Sequence, residues 1–158
     1  MEERQLVVFR LYEEEFGVEI TKVREIIKPR HITRLPHVDD YIEGVTNLRG
    51  EVIPVICLRK RFGITAQENT QDTRIIILEV NENPVGFIVD AVTETLRLPE
   101  TSIEPPPSSV EGLKSDYLAG VGKLDDRLLI LLEIDKILST EEKIQLQTIQ
   151  SEAAPSAE

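Results

Sequence analysis

The most constraining stretch of this chain is Gly44-Val45-Thr46-Asn47-Leu48-Arg49-Gly50-Glu51-Val52-Ile53-Pro54-Val55-Ile56-Cys57-Leu58, which reads as strand, tight turn, strand. Arg49-Gly50 offers the turn, because Gly50 takes a positive φ at no steric cost. From Val52 to Leu58 nearly every residue is apolar and several are β-branched, the pattern of a strand buried on both faces. Pro54 cannot donate to a ladder, which assigns it to an edge, a bend or a bulge. Arg49 is the oddity, a charge at the apex of an apolar hairpin, and a solvated turn residue is its plain reading.

The flanking chain repeats this grammar. Leu6 to Tyr12 is a strand with Val7, Phe9 and Leu11 on one face; Glu13-Glu14-Glu15 turns it back into Phe16-Gly17-Val18-Glu19-Ile20. Thr21 to Lys28 reads either as one short helix or as a bent strand, and Pro29 ends it. A loop between Pro29 and Pro36 carries His31, with His37 just beyond, and Asp39 to Glu43 suggests a helical turn. The polar run Thr65 to Asp72 is a loop. Thr73 to Val80 and Val85 to Val89 form a hairpin around Asn81-Glu82-Asn83-Pro84, and Asp90 to Leu98 follows. Pro105-Pro106-Pro107 is a stiff loop. Tyr117 to Leu124 and Arg127 to Ile134 make a last hairpin, and Ser139-Thr140-Glu141-Glu142 has the capping-box spacing of a C-terminal helix reaching to about Gln150.

Two halves of this series echo each other. Each runs hairpin, bent apolar segment, loop, then Gly-Val and a second hairpin: Leu6–Ile20 to Leu58 first, Thr73–Val89 to Ile134 second. Many short strands with one closing helix predict a mainly β protein built as paired small barrels. Units this small must share an apolar seam, since neither buries enough surface alone.

Charge narrows the partners. The net charge is −11, which disfavours nucleic acid and anionic membrane. Residues 1–61 hold 11 basic and 11 acidic residues, whereas 62–158 hold 7 and 18. Within the balanced part, Lys22, Arg24, Lys28, Arg30 and Arg34 form a basic strip, either a solvated face or a dock for an acidic partner. A single cysteine permits no internal disulfide and fits a reducing compartment. The N-terminus has no signal-peptide layout, and the longest apolar run, Leu128 to Leu132, is far too short to span a bilayer. A soluble cytoplasmic protein is expected.

Catalytic signatures are weak. His31, His37 and Cys57 do not complete a zinc pattern. Gly120-Val121-Gly122-Lys123 lacks the full phosphate-loop spacing and reads as a hairpin. Asp125-Asp126 sits on a turn, and no Ser or Cys has a base assigned by spacing. A binding module without catalysis, metal or cofactor is the stronger class; a small β-barrel ligand-binding enzyme is the rival.

Three motifs together carry a resemblance: Phe16-Gly17-Val18-Glu19-Ile20-x-x-Val23-x-Glu25-Ile26, Gly44-Val45-x-Asn47-Leu48-Arg49-Gly50-x-Val52-x-Pro54-Val55 and Val85-Gly86-Phe87-x-Val89-Asp90-x-Val92. The chain resembles the CheW family of bacterial chemotaxis coupling proteins from about Leu6 to Leu138. The resemblance implies two interlocked five-stranded SH3-like barrels in one domain over residues 1–150. It implies subdomains at about 16–70 with C-terminal segments and at about 73–138, intertwined, with 151–158 a disordered tail. It also implies an adaptor bridging chemoreceptor cytoplasmic tips to the regulatory domain of the histidine kinase CheA, monomeric alone and meeting the membrane only through receptors. A freestanding piece of a CheA regulatory domain is the nearest alternative; the chain carries no kinase region. Matched by motif, receptor contact falls to Ile20, Val23, Glu25, Asn47 and Arg49, with Val85 and Phe87 lining the same groove. Cys57 departs from the family, which often has Asp there, and Glu43 stands where some relatives carry a basic residue.

Overall fold

The structure is a computed structural model that describes residues 3–105, 118–138, 142, 143 and 146. Its strands are β1 (Glu3–Leu11), β2 (Glu14–Glu19), β3 (Val23–Ile27), β4 (Ile42–Leu48), β5 (Glu51–Cys57), β6 (Arg74–Val80), β7 (Asn83–Val89), β8 (Ala91–Pro99), β9 (Ile103–Glu104), β10 (Leu118–Leu124) and β11 (Arg127–Leu132), with a short helix α1 (Leu58–Arg61). They form two sheets, ordered β8-β1-β2-β11-β10-β9 and β3-β6-β7-β5-β4.

The two sheets follow one plan. Each contains a central hairpin, β1-β2 or β6-β7, whose second strand lies parallel to a strand of a second hairpin, β11 or β5. Each closes on itself through one bent segment. β8 pairs with β1, continues through a 3-10 turn at Glu100–Ser102, and becomes β9 beside β10. β3 pairs with β6, and Thr33 further along bonds both ways to Val45 of β4, at 2.8 and 3.0 Å. Counting each bent segment once gives two five-stranded barrels.

The glycines of the internal echo explain its persistence. Gly44 and Gly120 each sit at a register shift in the outer hairpin, opposite the closing segment. A Cβ on Gly44 would lie 2.0 Å from the Thr33 carbonyl oxygen, and one on Gly120 would lie 2.7 Å from that of Glu104. Only a bare backbone lets the barrel shut.

The barrels divide the chain differently from the expected 16–70 and 73–138. β3 to β7 are contiguous, so Val23 to Val89 forms one barrel, nested between the β1-β2 and β8–β11 portions of the other. The echo marks halves of the sequence, but each first hairpin pairs away from the bent segment that follows it. The Thr21–Lys28 segment is the bent strand of the two readings, a 3-10 turn at Ile20–Lys22 followed by β3. The Gly120 to Lys123 motif lies inside β10. Of the expected C-terminal helix, Glu142, Lys143 and Leu146 are helical, and the rest lies outside the described residues, as does the 151–158 tail.

Alternation along the strands distributes three cores. Leu6 and Val8 fill the outer barrel with Leu98, Leu129 and Leu131. Ile53, Val55, Ile75 and Ile77 fill the inner one with Leu48. The opposite faces of the same strands meet in a larger shared core that includes Val7, Phe9, Phe16, Ile56, Ile76, Leu78 and Phe87. Strands buried on both faces read as continuous apolar runs, as β5 and β6 do.

A polar latch ties the barrels at each crossover. At one, the Asp90 carboxylate accepts bonds from Arg59 Nε at 2.7 Å and Nη2 at 2.5 Å, and from the Tyr12 backbone N–H at 2.7 Å. At the other, Asp135 accepts from Lys22 Nζ and from the Asn81 N–H, both at 3.0 Å. Tyr12 and Asn81 are positive-φ residues of the two central hairpin turns. The latches correspond with charges exchanged: the acid is on the crossover in one, and the base is on the crossover in the other.

Candidate functional site

The polar side chains of the central motif gather on one rim of the inner barrel. The β4-β5 turn puts Arg49 at φ 51°, with its side chain 69% exposed. Asn47 fixes that turn by accepting the Gly50 N–H on Oδ1 at 2.8 Å. Arg49 Nη2 donates to Glu25 of β3, so the apex of one hairpin and the closing strand of the same barrel meet through an ion pair. Beside them, Arg24 donates to Glu51 at 2.8 Å and to Glu79 at 3.3 Å. Ile26, on the exposed side of β3, adds an apolar surface between charged neighbours.

The seven motif-derived site residues fall into three groups. Glu25, Asn47 and Arg49 form the rim itself. Ile20 and Val23 are half-buried, and both pack against the shared core. Val85 and Phe87 are not part of the rim, and Val85 lines a different small cleft with Pro54, Pro84, Leu138 and Leu146. They are 3% and 1% exposed, on the side of β7 that faces the shared core. Alternation alone marks one face of β7 without saying what that face meets. Two-sided burial was nevertheless legible in the unbroken apolar run of β6 beside it.

Cys57 and Glu43 both face the Lys60 neighbourhood. Cys57 is buried, and burial pushes its thiol up from the ordinary range. The Lys60 ammonium finds Glu43 Oε2 at 2.9 Å, which holds it above its usual pKa. Arg61 and Tyr41 both bond Glu142, at 3.2 and 2.7 Å. Burial, followed by Glu142, pushes the Tyr41 hydroxyl up.

Glu51, Glu79 and Arg59 had no site role in the sequence, Asp90 stood only within a motif, and Arg24 stood only in the basic strip. Asp90 carried a signal, since a lone acid directly after an apolar strand marks a crossover that needs a partner. Arg24 was visible as a cation of the strip, but its partners were not, because they lie 27 and 55 positions away. Among the described residues no cluster of three potential metal ligands occurs, and no helix is long and apolar enough to cross a membrane.

Two nested barrels sharing a core, latched at both crossovers and carrying their charged groups on a rim, define a paired-barrel β module. Comparison with known proteins gives it a family. The CheW-like domain model matches residues 5–142, and the chain belongs to that family. It is 40% identical over 139 residues to the chemotaxis protein CheW of Klebsiella aerogenes, covering 88% of this chain and 84% of that protein. It is 37% identical over 134 residues to the CheW of Helicobacter pylori, covering 85% and 81%. The crystal structure of the scaffolding protein TtCheW from Thermoanaerobacter tengcongensis superposes with a TM-score of 0.83 at 40% identity, covering 89% of this chain and 96% of that one.

Proposed function

We propose that this protein is a chemotaxis adaptor. It joins the cytoplasmic tips of chemoreceptors to the regulatory domain of the histidine kinase CheA, by binding and without catalysis. It works in the cytoplasm as a monomer recruited to receptor arrays. The observation that carries the reading is the Glu25–Arg49 rim, supported by relatives named for chemotaxis and scaffolding. A guanidinium exposed on a rigid turn offers five donors to carboxylates or carbonyls of a helical receptor tip, and its own partner fixes its direction.

A charge swap separates contact from brace. Arg49→Ala should weaken binding of a receptor tip fragment roughly thirtyfold or more, since losing a charged interfacial hydrogen bond costs about 2–5 kcal/mol. The fold should lose only about 0.5 kcal/mol, because the pair is exposed. The double variant Glu25→Arg/Arg49→Glu restores an internal pair yet should still bind poorly. Full recovery of affinity in the swap would reduce Arg49 to a brace.

A further inference from the structure

The fold uses only part of the basic strip. Lys22 is held in the Asp135 latch, and Arg24 is shared between Glu51 and Glu79. Lys28, Arg30 and Arg34 are exposed and have no ion-pair partner among the described residues. The backbone under them is firmly held. Ile32 packs into the inner core, while Leu35 and Val38 pack against the shared one. Thr33 is bridged to Val45, and the His31 carbonyl accepts from Thr46 Oγ1 at 2.8 Å. Pro29 and Pro36 restrict the same loop further. Cations projecting from an anchored backbone need little ordering on contact, which is the costly part of most loop-mediated binding.

We propose that this loop is a docking surface for an acidic face of a partner protein, with carboxylates engaging the Arg30 and Arg34 forks and Lys28 flanking them. The protein's own charge selects this partner class. At −11 overall, with the excess beyond residue 61, the molecule repels any extended polyanion whose field covers more than the loop. A folded protein presents a bounded set of carboxylates that can match the loop alone. The surface adjoins the Glu25–Arg49 rim but shares no residue with it, and it stands whether or not that rim binds receptors.

The test uses the full chain and a fluorescein-labelled hexaglutamate peptide as probe, short enough to stay on the loop, titrated at low salt and again at about 0.3 M, where Debye screening shortens to well under 10 Å. Wild type should bind at low salt and release as salt rises. Arg30→Glu/Arg34→Glu should lose about tenfold or more in affinity, the scale of two charged contacts reversed. Arg97→Glu/Lys136→Glu changes net charge equally at exposed positions elsewhere and should stay within about twofold of wild type. If the first variant melts early, Arg30→Gln/Arg34→Gln carries the same comparison at smaller amplitude. Equal losses in the two charge-reversed variants would overturn the proposal, as would no binding by wild type. So would tighter binding of duplex DNA or phosphatidylserine vesicles than of hexaglutamate.

Discussion

Gly44 is the residue on which the inner barrel's closure turns. Its φ is 143°, and a methyl group there would meet the Thr33 carbonyl at 2.0 Å, backbone that cannot step aside without breaking the Thr33–Val45 bridge. Gly44→Ala should therefore cost more than about 3 kcal/mol, in the range reserved for backbone incompatibility inside a packed structure. Gly50→Ala is the internal comparison: at φ 86° it carries the conformational penalty but has nothing within 4 Å to strike, so about 1 kcal/mol is expected. Chemical denaturation of both variants checks the order, and equal losses would show that conformation rather than closure sets the requirement at Gly44. The glycines were legible in sequence as an echo, Gly44-Val45 against Gly120-Val121. What they press against was not, because Thr33 lies in an isolated β-bridge and Glu104 in a two-residue strand, both too short to show a pattern of their own. Asn47 and Arg49 were likewise legible as motif residues, whereas the Arg49–Glu25 pairing needed the fold.

Among the elements, the two crossovers make unequal latches. Arg59 and Asp90 have side chains only 11% and 13% exposed, whereas Lys22 and Asp135 are 38% and 32% exposed. Removing the Asp90 charge leaves the mostly buried Arg59 with the Thr65 carbonyl as its remaining acceptor, for which about 3 kcal/mol is expected; Asp135→Asn should cost about 1 kcal/mol or less. Thermal melts of Asp90→Asn and Asp135→Asn decide this, and a larger loss for Asp135→Asn would invert the ranking. Both carboxylates titrate below their usual range. Burial opposes ionisation in each, and it is outweighed at Asp90 by Arg59 and the Tyr12 N–H, and at Asp135 by the Asn81 N–H and Lys22. A lowered folded-state pKa stabilises the fold above about pH 4 and loses that contribution as pH falls through the folded value. The stability of Asp90→Asn should thus fall less steeply in acid than that of wild type. Strand order along the chain was readable from apolar runs and turn residues. The four-residue helix α1 that delivers Arg59 was not, since Leu58–Arg61 is too short to show periodicity.

At the scale of the molecule, the shared core makes the barrels one cooperative unit. It draws on β1, β2, β5, β6, β7, β10 and β11, so neither barrel can separate without exposing the larger part of the apolar interior. Calorimetry should give a single transition with calorimetric and van't Hoff enthalpies in agreement. A fragment spanning residues 20–90, which holds every strand of the inner barrel, should lack a cooperative melt; a sharp transition in that fragment would mean that the inner barrel is self-sufficient. Paired units with a common seam were foreseeable from the limited surface each could bury. Nesting was not, because pairing between strands over 70 residues apart leaves no trace in local pattern.

Nesting also sets a timetable for a chain made from its N-terminus. The hairpin of β1 and β2 leaves the ribosome first, yet its neighbours β8 and β11 come last, so it waits for about 110 further residues before its sheet is complete. At about 5–20 residues per second, that is roughly 5–20 s during which Leu6 and Val8 lack Leu129 and Leu131, their partners inside the outer barrel. The inner barrel is fully synthesised some 40 residues sooner and already offers Val7, Phe9 and Phe16 their shared-core partners, Ile76 and Phe87 among them. Translation thus begins one barrel, builds the second inside it, and only then returns to finish the first.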